Sequence, residues 1–340
     1  MKYLALALLI LAASWGYYQS SQDPQWVHNW PLVESDDETG LRPVDCWFGA
    51  DTGLAPVECY RMQVREHHSK ANSRFISFPV MVFRQTMLSE SRSPLLHLGA
   101  GGPGAPMALD NRYAMEDLLQ TMRQASLSQG RDLVVIDPRG TGLARPLLGC
   151  QAFIDGERKR FLQNLSLRQP EESISADYRE CIELLLLDGV DFSAYNSFMI
   201  ARDVEALRQA ADIDQWVLFG VSYAANYALA IANEFPDAVE SMVLDSAYVS
   251  RVGRHEYYLE QMTRPYRLLF RYCSIDPECE QPVDNIEARF WAVYQSLNAN
   301  PIGIELNSRS DKIPLLLNGE RFLEVIQGGS YSLEIYKDIA

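Results

Sequence analysis

The sequence predicts an α/β protein, a doubly wound and mainly parallel sheet followed by the start of a helical cap. Three observations predict it. Short apolar runs alternate with helical periodicity from Pro94 to Leu244, the pattern of repeated βαβ units. Trp216 to Val221 is a near-continuous apolar run, as in a central strand buried on both faces, and an Ala- and Leu-rich helix follows at once. After Arg251 the chain turns to mixed Arg, Tyr, Glu and Leu without another βαβ unit.

Taken in order, Met1-Lys2 gives a positive start and Tyr3 to Tyr18 an apolar run, so residues 1–18 read as a secretory signal, with an uncleaved membrane anchor as the alternative. Gln19 to Arg42 is polar and acidic and is expected to wrap the surface. Cys59 to Val64 and Phe75 to Arg84 are expected to pair antiparallel at a sheet edge, where Pro79 is tolerable. Pro94 to Leu98 is a third strand, running into Gly99-Ala100-Gly101-Gly102-Pro103-Gly104. Tyr113 to Ser126 has helical spacing, and Asp132 to Ile136 is a strand ending in Asp137-Pro138-Arg139-Gly140-Thr141-Gly142. A polar excursion from Cys150 to Asp191 carries a helix near Ala176 to Leu187. The amphipathic helix Ser197 to Ala211 shows Ile200, Val204, Leu207 and Ala211 on one face. The strand at Trp216, a helix to Phe235 and a sixth strand at Ser241 to Leu244 complete residues 19–250 as the core. Residues 251–340 are expected to be an incomplete helical cap, with helical patches at Asn285 to Leu297 and Glu320 to Ile326.

The chain has 340 residues, 47% hydrophobic and 22% charged, an ordinary globular composition large enough for one α/β domain and an accessory piece. Its net charge of -15 argues against nonspecific nucleic-acid binding, which draws on basic surfaces. Six cysteines fall into three sequential pairs, Cys46 with Cys59, Cys150 with Cys181 and Cys273 with Cys279, and disulfides in an exported protein are expected. Six cysteines allow about 15 connectivities, and sequential pairing is the simplest. A metal site is not expected: no Cys-x-x-Cys exists, and the adjacent His67 and His68 lie in a polar, loop-like stretch beside Glu66.

Ser222 stands where the Trp216 strand meets its helix, within Gly220-Val221-Ser222-Tyr223-Ala224. A sharp turn there lifts the hydroxyl above the sheet and aims the helix N-terminal amides at whatever it attacks, the logic of a nucleophile elbow. An ordinary helix-capping serine is the plainer alternative. The Gly101 to Gly104 loop matches neither dinucleotide nor P-loop spacing, so phosphate binding is disfavoured. In acyl transfer, residues without side chains let backbone N–H groups approach a developing oxyanion, and Gly102 with Tyr223 are the candidate donors. Gly101, Pro103, Gly104 and Arg139 are the candidate supporting residues, with Arg139 expected to brace the glycine loop.

These motifs together, GGPG at Gly101, DPRGTG at Asp137, ARDVEALRQA from Ala201, GVSYA at Gly220 and FPDAVESMVLD from Phe235, resemble the α/β-hydrolase peptidases of the proline iminopeptidase and tripeptidyl aminopeptidase group. The resemblance runs from Cys46 to about Ala247, and the Cys46 and Cys59 pair suits its exported branch. Ala100, Ala224 and Ser246 depart from the usual His, Gly and Gly. The resemblance implies the α/β-hydrolase fold, a peptide, small amide or ester substrate, acyl-enzyme chemistry at Ser222, and no metal or organic cofactor. It also implies a triad acid and histidine after later strands, and His255 is the sole histidine after Ser222. The chain is therefore expected to be an N-terminal fragment without normal turnover. An esterase or a non-catalytic binding protein of the same fold are the alternatives. His97 is expected to pack in the core, Asp245 to be an ordinary strand-end residue, and Glu256 and Glu260 to be solvated unless they meet a substrate amino group.

Overall fold

A computed structural model describes residues 38–47, 57–84, 92–99, 102, 104–124, 130–165, 170–248, 254–275, 285–307 and 312–329. The signal-like segment, Gly101, Pro103, Cys279, and the side chains of His255 and Glu256 lie outside the described residues. Contacts divide the chain into two units, one of residues 20–149 and 183–250, the other of residues 1–19, 150–182 and 251–340. The break near residue 250 lies where the composition changes, whereas residues 150–182, expected in the core, group with the C-terminal residues.

The first unit is built on a seven-stranded sheet. Its strands are β1 (Gly40–Val44), β2 (Val57–Arg65), β3 (Phe75–Phe83), β4 (Leu95–His97), β5 (Leu133–Ile136), β6 (Trp216–Val221) and β7 (Val239–Asp245), in the spatial order β1-β2-β3-β5-β4-β6-β7. The first three strands and the β3–β5 pair are antiparallel, and the rest are parallel. β1 falls at the end of the stretch expected to be surface wrapping and lies outside β2, so the β2–β3 pair is not at the edge. Pro79 survives inside because of where its missing N–H would point. The Ser77 N–H donates to Arg145 (2.9 Å), and the Pro79 nitrogen, two residues on, faces the same side in the gap before the first β5 partner, Val80↔Ile136.

Alternation along each strand separates two apolar layers. Leu96, Val134, Trp216 and Leu218 face α4 (Ser197–Ala210) and α5 (Ala224–Glu234), which contribute Ile200, Val204, Leu207, Ala228 and Ile231. Leu95, Leu133, Val135, Val217 and Phe219 face α1 (Arg112–Gln124), which contributes Met115, Leu119 and Met122. β6 is buried on both faces because helices cover both, as its unbroken apolar sequence requires. Asn196 caps α4, its side chain accepting from the Phe198 and Met199 N–H groups. Cys46 and Cys59 are joined by a disulfide next to the β1–β2 pair.

The second unit contains α2 (Gln151–Phe161), most of α3 (Pro170–Leu187), α6 (Arg254–Cys273), α7 (Ile286–Ala299), a hairpin of β8 (Ile302–Asn307) and β9 (Lys312–Leu317), and α8 (Gly319–Gly329). The helices near 286 and 319 fall where helical spacing places them. α2 and the hairpin are additions to the sequence reading: α2 is masked by its charged GERKR stretch, and the hairpin by its short apolar runs. Cys150 and Cys181 are disulfide-bonded. Arg321 donates to the Leu316, Gln163 and Arg160 carbonyls, and Asn318 donates to the Asn164 side chain, so residues 160–165 are held by the hairpin's exit. Phe161 packs against Leu306, Ile313 and Leu315.

Candidate active site

Ser222 sits at the β6–α5 junction with φ +53°, a left-handed conformation that L side chains avoid. Its N–H donates to the Asp245 carbonyl (2.9 Å), and its carbonyl accepts from the Ala225 and Tyr248 N–H groups (3.2 and 3.0 Å). Gly220 has no room for a side chain, since a Cβ there would stand 2.8 Å from the Ala224 carbonyl oxygen. The turn is thus tight at Gly220, while Ala224, in place of the usual glycine, is fully buried at the start of α5 and fits with its methyl group. Tyr223 precedes the helix with φ -65° and ψ -28°, so its N–H belongs to the free N-terminal donors of α5.

The glycine loop leaves β4 beside this turn, because β4 and β6 are parallel neighbours and the Leu98 N–H donates to the Phe219 carbonyl (3.0 Å). Gly99, Gly102 and Gly104 all take positive φ, at +117°, +48° and +91°, which explains why the stretch is so rich in glycine. His97 is buried at its root. Its Nδ1 accepts the Gly99 N–H (3.2 Å), its ring meets Phe219 edge-on at 4.9 Å, and burial pulls its pKa down to about 4. It is a neutral core group that shapes the loop's entry.

The Asp137 motif makes two separate anchors. The Asp137 carboxyl is fully buried and accepts the Met107 and Leu143 N–H groups (2.7 and 2.8 Å), tying the segment after the glycine loop to its own turn. A Cβ on Gly142 would overlap that carboxyl, so glycine is obligatory there. Burial pushes the Asp137 pKa up to about 7, partly offset by those two bonds, and burial likewise raises neighbouring Asp110 to about 6.

Arg139 turns away from the loop it was expected to brace. Its guanidinium donates to both oxygens of Asp203 on α4 (2.6 and 2.5 Å), to the Ala194 carbonyl (2.9 Å) and to the Glu66 carbonyl. None of these partners lies in the glycine loop. His68 Nε2 also meets Asp203 (2.7 Å), and the buried Glu66 carboxylate takes Arg74 (3.0 Å) and the Tyr195 hydroxyl (2.8 Å). This polar cluster joins the β2–β3 turn, the Asp137 turn and α4. The sequence places His68 and Glu66 in a polar, loop-like stretch and gives no sign of these bonds, because the partners are up to 135 positions away in the chain.

Among the described residues the histidine rings are engaged elsewhere, His67 with Ser69, His68 with Asp203 and His97 with Gly99, and none bonds the Ser222 hydroxyl. Asp245 is exposed and accepts the Ser246 hydroxyl (2.9 Å), while Glu260 is exposed and 3.9 Å from Arg267. No group of three metal-ligating side chains occurs among the described residues.

Sheet order, elbow and glycine loop define the α/β-hydrolase fold. Residues 100–264 match the family described as the alpha/beta hydrolase fold. Among curated relatives, the serine protease Hip1 of Mycobacterium tuberculosis (strain ATCC 25618 / H37Rv) is 29% identical over 211 residues, covering 59% of this chain and 39% of Hip1. YuaR of Escherichia coli (strain K12) is 29% identical over 147 residues, covering 43% of this chain and 26% of YuaR. The chain therefore spans well under half the length of both. A thermophilic esterase from Thermogutta terrifontis aligns over 70% of this chain and 61% of its own, with 13% identity and a TM-score of 0.32.

Proposed function

We propose that Ser222 is the nucleophile of an exported serine aminopeptidase that releases N-terminal residues through an acyl-enzyme. The observation that carries this reading is the φ of +53° at Ser222, in a turn whose Gly220 admits no side chain. Ala108, Asp212, Ser246 and the α7 cap Asn285 share such a φ, so what sets Ser222 apart is where its strained turn lies: at the C-terminal end of β6, leading into α5, beside the loop that leaves the parallel neighbour β4, the position of a nucleophile elbow. The resemblance of the motifs to the iminopeptidase and tripeptidyl aminopeptidase group, and the similarity to a serine protease, favour amide over ester substrates.

In this mechanism the Ser222 oxygen attacks the scissile carbonyl carbon while its proton passes to a histidine outside the described residues. The carbonyl electron pair moves onto oxygen, and the Tyr223 and Gly102 N–H groups donate hydrogen bonds to the oxyanion so formed. Collapse expels the amine, which takes the proton, and water then releases the acyl group by the same steps. The apolar N-terminal segment and the disulfides support export. A fluorophosphonate probe applied to the full-length protein should label one site, and Ser222→Ala should abolish both labelling and turnover of aminoacyl or tripeptidyl amides. Labelling that persists in folded Ser222→Ala refutes the assignment of the nucleophile, and ester turnover without amide turnover refutes the peptidase reading.

A further inference from the structure

Three tyrosines form a row beside Ser222. Tyr227 is buried on α5, the Tyr223 ring meets it edge-on at 5.6 Å, and the Tyr248 ring follows at 6.3 Å from Tyr223. Exposure rises along the row from 8% at Tyr227 to 38% at Tyr248. The outer residue is nonetheless firmly held through its backbone. Its N–H donates to the Ser222 carbonyl (3.0 Å), and its carbonyl accepts from Asn226 Nδ2 (2.6 Å). Asn226 Nδ2 also donates to the Tyr223 carbonyl (3.0 Å). One side-chain amide thus clasps the residue after the nucleophile to the segment after β7.

A tyrosine ring turns on only two side-chain torsions, so an exposed ring on a fixed backbone offers apolar contact area at little entropic cost. Here it is offered next to the nucleophile. In an acyl-enzyme the group bonded to Ser222 is the acyl residue, and Tyr223 adjoins Ser222 in the chain while the Tyr248 N–H donates to the Ser222 carbonyl. We propose that Tyr223 and Tyr248 form an aromatic wall selecting an apolar or aromatic side chain on the acyl residue, and that Asn226 is the positioning residue that holds the wall. The proposal rests on the serine-hydrolase reading and deepens it to a substrate class.

The test compares kcat/KM for phenylalanyl and alanyl amides of one leaving group in the full-length protein. Tyr248→Ala should lower the phenylalanyl-to-alanyl ratio about tenfold, the scale of one aromatic contact, and Tyr248→Phe should restore it. Asn226→Ala should lower the ratio by a similar factor, and the double variant should fall no further, because both changes remove the same wall. If Asn226→Ala does not fold, exposed Tyr248 carries the test alone. A ratio unchanged in Tyr248→Ala, or one that Tyr248→Phe fails to restore, overturns the wall; additive losses overturn the role of Asn226. Fluorophosphonate labelling of Ser222 separates the two levels: a wild-type protein that is not labelled there fails the nucleophile assignment, whereas a labelled protein with an unchanged ratio fails only this inference.

Discussion

Replacing Ser222 by glycine should stabilise the protein, and replacing it by alanine should not. Ser222 holds φ at +53°, where the Cβ of an L residue crowds its own backbone. Left-handed geometry costs a residue with a Cβ about 1–2 kcal/mol, and glycine adopts it freely. Against that relief stands the larger freedom of glycine in the unfolded chain, which takes back about 0.4–1 kcal/mol. The balance is a gain of roughly 0.5–1 kcal/mol, equal to about 1–4 °C in the melting transition of a unit this size. Ser222→Ala keeps the Cβ and the strain, so it should stay within about 0.5 kcal/mol of wild type. Thermal melts followed by circular dichroism at one protein concentration decide the matter. Ser246, with φ +50° and no proposed catalytic role, supplies the comparison, since Ser246→Gly should gain by the same route. Glycine and alanine variants of Ser222 that melt together would refute the reasoning, because strain would then not be what the serine carries.

Gly220→Ala should cost about 1–3 kcal/mol and lower the labelling rate of Ser222, because the added methyl would stand 2.8 Å from the Ala224 carbonyl oxygen and must push the start of α5 away; a variant with wild-type melting and labelling would contradict the packing described. Asp137 should make stability fall as pH rises. Its ordinary value is 3.8 and burial raises it to about 7 in the fold, so across that window the unfolded chain gives up a proton that the folded chain keeps, at about 1.4 kcal/mol for each pH unit separating the two values. The stabilising effect is complete below pH 3.8 and lost as pH rises through 7, so urea midpoints should decline from pH 5 to pH 8 more steeply in wild type than in Asp137→Asn; parallel declines would show that Asp137 does not titrate there.

Much of this fold could be read from the chain, and the reason is local. β6, α4 and α5 announce themselves because burial on both faces demands an unbroken apolar run, and burial on one face demands helical spacing. The Ser222 turn was legible for the same reason: a small residue two before the serine and one two after it are needed where backbones touch, and Gly220 and Ala224 meet that need. β1 was not legible. Gly40–Val44 contains Pro43 and charged Arg42 and has no alternation strong enough to distinguish it from a surface segment; it becomes a strand because β2 offers it a partner. The β8–β9 hairpin failed similarly, its pairing being set by a partner strand that short apolar runs do not reveal.

Arg139 shows most sharply what motif reading leaves out. The sequence presents Asp137-Pro138-Arg139-Gly140 and Ala201-Arg202-Asp203-Val204 as two separate signatures, 64 positions apart between Arg139 and Asp203, and each invites its own local explanation. In the fold they are the two halves of one buried ion pair: the Arg139 side chain is fully buried and the Asp203 side chain is 3% exposed. Removing Asp203 leaves the Arg139 charge buried with only the Glu66 and Ala194 carbonyls, and removing Arg139 leaves Asp203 buried with only His68, a loss of about 3–5 kcal/mol for breaking a buried pair. The pair can exist only as a unit, so the two motifs appear together. Its position gives the unit a purpose beyond its own energy. α4 runs into β6, and the Asp137 carboxyl, two residues before Arg139, holds the segment that follows the glycine loop. The ion pair thus fixes the turn supporting the candidate oxyanion loop against the helix that precedes the Ser222 strand, which puts two halves of the candidate site, brought from distant parts of the chain, on one rigid frame.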